Sequence, residues 1–116
     1  MYIHPRSSPE IKKLHSYDGV IEAVRRDEAG RVVTVRYYPR HGAGFSDVFI
    51  MTREELIQAL ENKKKFAVGA RIRDMGGHFN LGGTVKLQGS GENKRFIVTG
   101  DDKPDDGLEL PTMPLF

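Results

Sequence analysis

Apolar and polar residues alternate in two early stretches of the chain, which is the pattern of half-buried β-strands. The first stretch covers residues 17–26. The second, residues 31–40, is rich in valine and tyrosine, which favour strands. Residues 27–30 between them supply turn-forming residues, including a glycine that tolerates a positive φ. The pattern therefore predicts a β-hairpin near the start of the domain.

The periodicity changes to helical spacing after a short third strand predicted at residues 47–51. Thr52 and Glu55 have the spacing of a capping box, which marks the start of a helix predicted over residues 52–65. Three apolar residues follow on one face of that helix and are expected to pack on the sheet: Leu56, Ile57 and Leu60. The lysines at residues 63–65 are assigned to the last turn, where cations suit the helix dipole.

Alternation returns after the helix and predicts three more strands: residues 66–73, 79–88 and 94–99. The order of three strands, one helix and three strands predicts a mainly β domain. We expect a small antiparallel β-barrel or curled sheet, OB-like, of about six strands with one α-helix between strands three and four. An open antiparallel sheet with the helix packed on one face is the alternative.

The chain divides into three parts by pattern and composition. The predicted domain covers residues 17–100, preceded by an N-terminal arm at residues 1–16 and followed by an acidic, then apolar segment at residues 101–116. With 116 residues, the chain is long enough for one domain with its own core. Five large apolar residues near its end are expected to dock on the domain: Leu108, Leu110, Met113, Leu115 and Phe116. The alternative is a free acidic tail that is attracted to the basic face of the domain and leaves Phe116 open to a partner.

Charge and composition exclude several classes of chemistry. There is no cysteine, which excludes disulfides, thiol nucleophiles and cysteine-bound zinc. The four histidines lack the spacing of a metal site, and no serine, threonine or lysine lies in a nucleophile motif. We therefore predict a non-enzymatic protein with no metal and no cofactor. No stretch resembles a signal peptide or a membrane span, so a cytoplasmic location without membrane contact is expected.

The net charge of +2 conceals an uneven distribution. Residues 101–116 carry a charge of −4, so residues 1–100 carry +6. Arginines alternate with tyrosines on the predicted strands, and such surfaces suit single-stranded nucleic acid, because rings stack on bases while cations contact phosphates. Four residues are predicted to form this surface: Arg36, Tyr38, Arg71 and Arg73. The alternative is that these side chains form the polar face of half-buried strands.

The end of the chain resembles the tail of bacterial single-stranded-DNA-binding proteins. The resemblance rests on the aspartates of residues 101–106 and on the ending Pro114-Leu115-Phe116. Those proteins join an OB domain to an acidic tail ending in Pro-Phe, whose tip docks on partner enzymes. The resemblance implies a partner-binding role for Phe116.

A second resemblance rests on four stretches: residues 51–55, 66–68, 95–99 and 106–111. They resemble a family of short uncharacterised bacterial proteins with a Leu-Pro signature near the C-terminus. This resemblance implies that Leu108, Leu110 and Pro111 fold back on the domain.

Two functions therefore stand side by side. One is a small binding domain for single-stranded nucleic acid, and the other is a protein–protein interaction or structural module without a nucleic-acid role. The sequence leaves the oligomeric state open.

Overall fold

The computed structural model describes residues 17–41, 44–45, 47–71, 79–99, 109–110 and 113–116. The predicted N-terminal arm, residues 1–16, and the acidic stretch 101–106 lie outside these ranges. The described elements are β1 (Gly19–Arg26), β2 (Val32–His41), β3 (Gly44–Phe45), β4 (Phe49–Thr52), α1 (Arg53–Glu61), β5 (Phe66–Arg71), β6 (Phe79–Gln88), a 3₁₀ turn (Gly91–Asn93) and β7 (Arg95–Val98).

The strands form one mixed sheet in the order β3–β2–β1–β5–β6–β7, with β4 also paired to β2. The pair β1–β5 is parallel, and the other ladders are antiparallel. A parallel neighbour requires a crossover, which α1 supplies between β4 and β5, so the sheet is mixed where the sequence predicted an antiparallel one.

The sheet is open in the part of the chain that the structure describes, because no ladder joins β7 to β3 or β4. The prediction of a mainly β domain with one helix after the third main strand is confirmed if the two-residue β3 is set aside. Closure into an OB-like barrel stays a prediction.

The predicted hairpin is present, with β1 antiparallel to β2. Its turn is held by Asp27, whose carboxylate accepts the backbone N–H groups of Ala29 and Arg31, each at 2.9 Å. Gly30 adopts a φ of 83°, which a glycine tolerates without strain.

Helix α1 begins at the predicted capping box. The Thr52 hydroxyl accepts the N–H of Glu55 at 3.3 Å, and the Glu55 carboxylate accepts the N–H of Thr52 at 3.1 Å. The backbone N–H of Thr52, and after it the Thr52 hydroxyl, which donates to the same carboxylate oxygen at 3.0 Å, lower the pKa of Glu55. On the inner face Leu56 is fully buried, whereas Ile57 and Leu60 are only partly buried.

The end of α1 differs from the prediction. The helix ends at Glu61, and no basic residue lies in its last turn. Lys63 adopts a φ of 64°, in the left-handed region, which stops a right-handed helix. The lysines of residues 63–65 therefore lie in the loop before β5, and their assignment to the helix dipole is wrong.

The core lies between α1 and the sheet and includes residues from the C-terminal segment. Its buried members are Ile21, Val24, Val32, Val35, Met51, Leu56, Phe66, Val68, Val85, Phe96, Leu110 and Met113. Two of the predicted docking residues, Leu110 and Met113, are thus buried. Leu115 is 67% exposed, so its predicted burial is wrong, and Leu108 lies outside the described residues.

A buried ion pair holds this segment to the domain. Glu109 is fully buried, and its carboxylate accepts the N–H of Val32 at 2.9 Å and the N–H of Phe96 at 2.6 Å. The guanidinium group of Arg53 donates to both oxygens of the same carboxylate. A buried charge needs this complete set of partners to offset its lost hydration.

The last described residues extend the sheet along β1. The β1–β5 ladder covers only Gly19 to Ile21, so the rest of that edge of β1 is open to another segment. There the N–H of Val24 donates to the carbonyl of Pro114 at 2.9 Å, and the N–H of Phe116 donates to the carbonyl of Val24 at 3.2 Å. This short parallel bridge pairs Leu115 with Val24 at that edge of the sheet.

Candidate nucleic-acid interface

Arg36 and Tyr38, which the sequence placed on one face of a strand, do lie together on β2. Both contact Glu22: the Nε of Arg36 donates to its carboxylate at 2.8 Å, and the Tyr38 hydroxyl donates at 2.9 Å. The β1–β2 register shifts between Ile21 and Ala23, so Glu22 is the extra residue of a bulge. Glu22 neutralises the charge of Arg36, which weakens this pair as a phosphate site.

Phe116 lies against the same face. The guanidinium carbons of Arg25 and Arg36 lie 4.8 Å and 5.0 Å from the centre of its ring. Such cation–π contacts stabilise the folded position of the ring. A role for Phe116 in binding a partner stays a prediction, and any partner must compete with these two arginines.

Arg71 and Arg73 are not brought to this surface by the described geometry. Arg71 is the last residue of β5, where its backbone pairs with Phe79, and the structure does not describe its side chain. Arg73 lies outside the described residues. Their predicted role in nucleic-acid binding stays a prediction.

Lysines gather instead at the opening between the loop after α1 and strand β6. The β5–β6 ladder begins at the pair Ala67–Thr84, so the following residues of β6 face the loop across a groove of about 340 Å³. We call this the lysine groove. Its lining residues are Leu60, Lys63, Lys64, Lys65, Thr84, Val85, Lys86 and Leu87.

No described acidic side chain compensates the charge of the groove. All four lysine side chains are exposed, and in the described part of the chain none has a carboxylate partner. Asp18 approaches the loop, but its carboxylate accepts the backbone N–H of Lys65 at 2.8 Å and lies 4.0 Å from Arg40. Lys94, by contrast, pairs with Glu61 at 2.6 Å. The groove therefore combines an aliphatic floor with four lysines that have no carboxylate partner in the ranges that the structure describes.

Lys63 occupies a backbone position that usually belongs to glycine. The N–H of Lys64 donates to the carbonyl of Ala59 at 3.0 Å, and the N–H of Lys63 donates to that of Leu60 at 3.1 Å. This pair of bonds defines a Schellman motif with Lys63 at the left-handed position. A lysine there costs backbone energy, and such strain is common at functional sites.

Sequence reasoning missed the lysine groove because a helix dipole already explained the lysine run. The available signal was Asn62 just before that run, since asparagine often ends a helix. Lys86 carried no signal, because only the tertiary structure brings it opposite the loop.

Two further features bear on function. The described residues contain no group of three acidic or histidine side chains able to hold a metal ion. None of the described helices has the length and apolar character needed to cross a bilayer.

No family model matches the chain, and no curated protein or solved structure is significantly similar to it. The two resemblances drawn from the sequence stay predictions. Its function is therefore inferred from the chemistry of the described side chains.

Proposed function

We propose that this domain is a non-enzymatic binding module for single-stranded nucleic acid, and that the lysine groove is its binding surface. The observation that carries the proposal is the presence, around one groove, of four exposed lysines that have no acidic partner among the described residues. Phosphates bind such cations with release of counterions, which gives a salt-dependent affinity. A flexible single strand can follow a narrow recess that a stiff duplex cannot enter.

The proposal moves the centre of binding away from the residues suggested by the sequence. Arg36 has Glu22 as a partner at 2.8 Å, whereas none of the groove lysines forms an ion pair within the described ranges. Arg71 and Arg73 remain candidates for contacts beyond the groove. An OB-like closure of the sheet and a cytoplasmic location belong to the same proposal.

The test is fluorescence anisotropy with a labelled oligothymidine of about 16 nucleotides over a series of salt concentrations. The Lys64→Ala/Lys86→Ala double variant should bind more weakly. The slope of log affinity against log salt should fall by about 1.4 if each lysine contacts one phosphate.

The matched control removes two cations elsewhere on the domain. Lys94 pairs with Glu61, and Arg31 donates to the carbonyl of Glu92 at 3.0 Å. The Arg31→Ala/Lys94→Ala variant has the same change in net charge and should keep the wild-type slope. Equal losses in both double variants, or no binding by the wild type at low salt, would exclude the lysine groove.

A protein–protein interaction module is the second candidate. The observation that favours it is the exposed edge at β4. In the described ladders β4 pairs with β2 alone, and exposed apolar residues lie within β4 and just before it. Val48 is 41% exposed, Phe49 55% and Ile50 63%. An unpaired apolar edge can accept a strand from another protein. Absence of oligonucleotide binding at low salt would favour this candidate.

A further inference from the structure

We propose that the lysine groove recognises the phosphate backbone alone, so that its ligands are linear phosphate polymers and the bases make no contribution. This inference rests on the proposed function and specifies the ligand of the same site. It goes against the sequence-based expectation that aromatic rings stack on bases.

Among the described side chains that line the groove, Thr84 alone carries a hydrogen-bond acceptor that could meet the amino group of a base. Leu60, Val85 and Leu87 have no polar side-chain atoms, and the ammonium groups of the lysines only donate. Thr84 is the remaining polar residue, and its hydroxyl lies 2.7 Å from the Tyr17 hydroxyl. Its carbonyl accepts the N–H of Thr99 at 2.8 Å and the hydroxyl of Thr99 at 3.1 Å. The hydroxyl and the carbonyl of Thr84 are therefore already engaged.

Nor does the groove offer a ring for stacking. No aromatic residue is among those that line it in the described part of the chain. Tyr17, which contacts Thr84, is only 3% exposed, and Phe66, where β5 begins, is 5% exposed. A single stacked base would strengthen binding by about fivefold or more, so its absence is measurable.

The cations, by contrast, are placed on both sides of the groove. Three belong to the loop and Lys86 belongs to β6, so a linear polyanion lying between them meets charge along both walls. Residue 63 is a lysine although its backbone lies in the left-handed region, where glycine fits without strain. Charge, rather than base recognition, is the property that these positions share.

Two kinds of polymer have this chemistry: a nucleic-acid strand and linear inorganic polyphosphate. The experiment is competition against labelled oligothymidine, using unlabelled oligothymidine, an abasic strand of equal length and polyphosphate of equal phosphate number. Wild-type protein, the Lys64→Ala/Lys86→Ala variant and the Arg31→Ala/Lys94→Ala control are compared.

The expected result is that the abasic strand competes as well as oligothymidine, with the same salt dependence. Polyphosphate stronger than both strands by about tenfold or more would identify polyphosphate as the ligand and replace the nucleic-acid strand of the proposed function. Equal competition by all three polymers would support recognition of phosphate alone, and polyphosphate weaker than both strands by about tenfold or more would identify a nucleic-acid strand. An abasic strand weaker by about tenfold or more would overturn the inference. Weaker competition by the abasic strand would leave the proposed function intact, provided that the Lys64→Ala/Lys86→Ala variant bound oligothymidine more weakly than the wild type and the control variant. Equal binding of oligothymidine by all three proteins would reject the proposed function itself.

Discussion

Replacing Lys63 by glycine should make the protein more stable and its binding to oligonucleotides weaker. Lys63 has a φ of 64° within a Schellman motif at the end of α1. Glycine adopts this conformation without a steric clash at Cβ, so the substitution removes strain. The same substitution deletes one of the four cations of the lysine groove.

The size of the stability change follows from two opposing terms. Relief of the left-handed conformation is worth about 1–2 kcal/mol. The greater freedom of glycine in the unfolded chain removes about 0.4–1 kcal/mol of that gain. The net gain should be about 0.5–1 kcal/mol, or a rise in Tm of about 2–4 °C for a domain of this size.

Lys64 provides a matched control, because it lines the same groove and does not have a positive φ. Lys64→Gly deletes the same charge but relieves no strain. It should therefore lower the Tm by about 2–4 °C through the unfolded state. Both variants should bind oligothymidine more weakly, with a salt slope reduced by about 0.7.

The assays are thermal unfolding by circular dichroism and fluorescence anisotropy. If Lys63→Gly raises the Tm, Lys64→Gly lowers it and both lose affinity to the same extent, the loss of binding does not come from a change in stability. A lower Tm for Lys63→Gly would refute the assignment of strain, and unchanged binding in both variants would refute the role of the loop lysines.

Two further predictions concern the core and are checked by urea denaturation. Glu109→Gln should lower the free energy of unfolding by about 3–5 kcal/mol, because Arg53 loses its buried counter-charge and one backbone N–H group loses its acceptor. A loss below about 1 kcal/mol would mean that the ion pair does not hold the C-terminal segment. Leu56→Ala should lower the free energy of unfolding by about 2–5 kcal/mol, because the Leu56 side chain is fully buried. Leu60→Ala should lower it by less, because Leu60 is only partly buried. The reverse order would mean that the inner face of α1 is wrongly assigned.

Local patterns in the sequence were sufficient for most of the secondary structure. The alternation around residues 27–30 predicted the hairpin, and the spacing of Thr52 and Glu55 predicted the start of α1. These features depend on residues close together in the chain, where turn chemistry, capping and periodicity act directly. The sequence also indicated that apolar residues after the acidic stretch pack on the domain, as Leu110 and Met113 do.

Contacts between distant residues were decided only by the tertiary structure. The sequence assigned Glu109 to the acidic residues of the C-terminal segment, yet its side chain is fully buried and forms an ion pair with Arg53. Glu22 is the extra residue of a bulge in β1, and its carboxylate lies 2.8 Å from the Nε of Arg36, so it neutralises the charge of Arg36. A linear pattern shows which positions are charged but not which opposite charges meet across strands.

The lysine groove shows the same division. The sequence contains the lysines of residues 63–65 and Lys86, but it placed the former in a helix that ends at Glu61. The left-handed turn at Lys63 takes the loop out of α1, and the crossover from β4 to β5 brings it opposite β6. Periodicity encodes where a strand lies, whereas the choice of its neighbour depends on burial across the whole sheet, so only the folded chain brings these charges together.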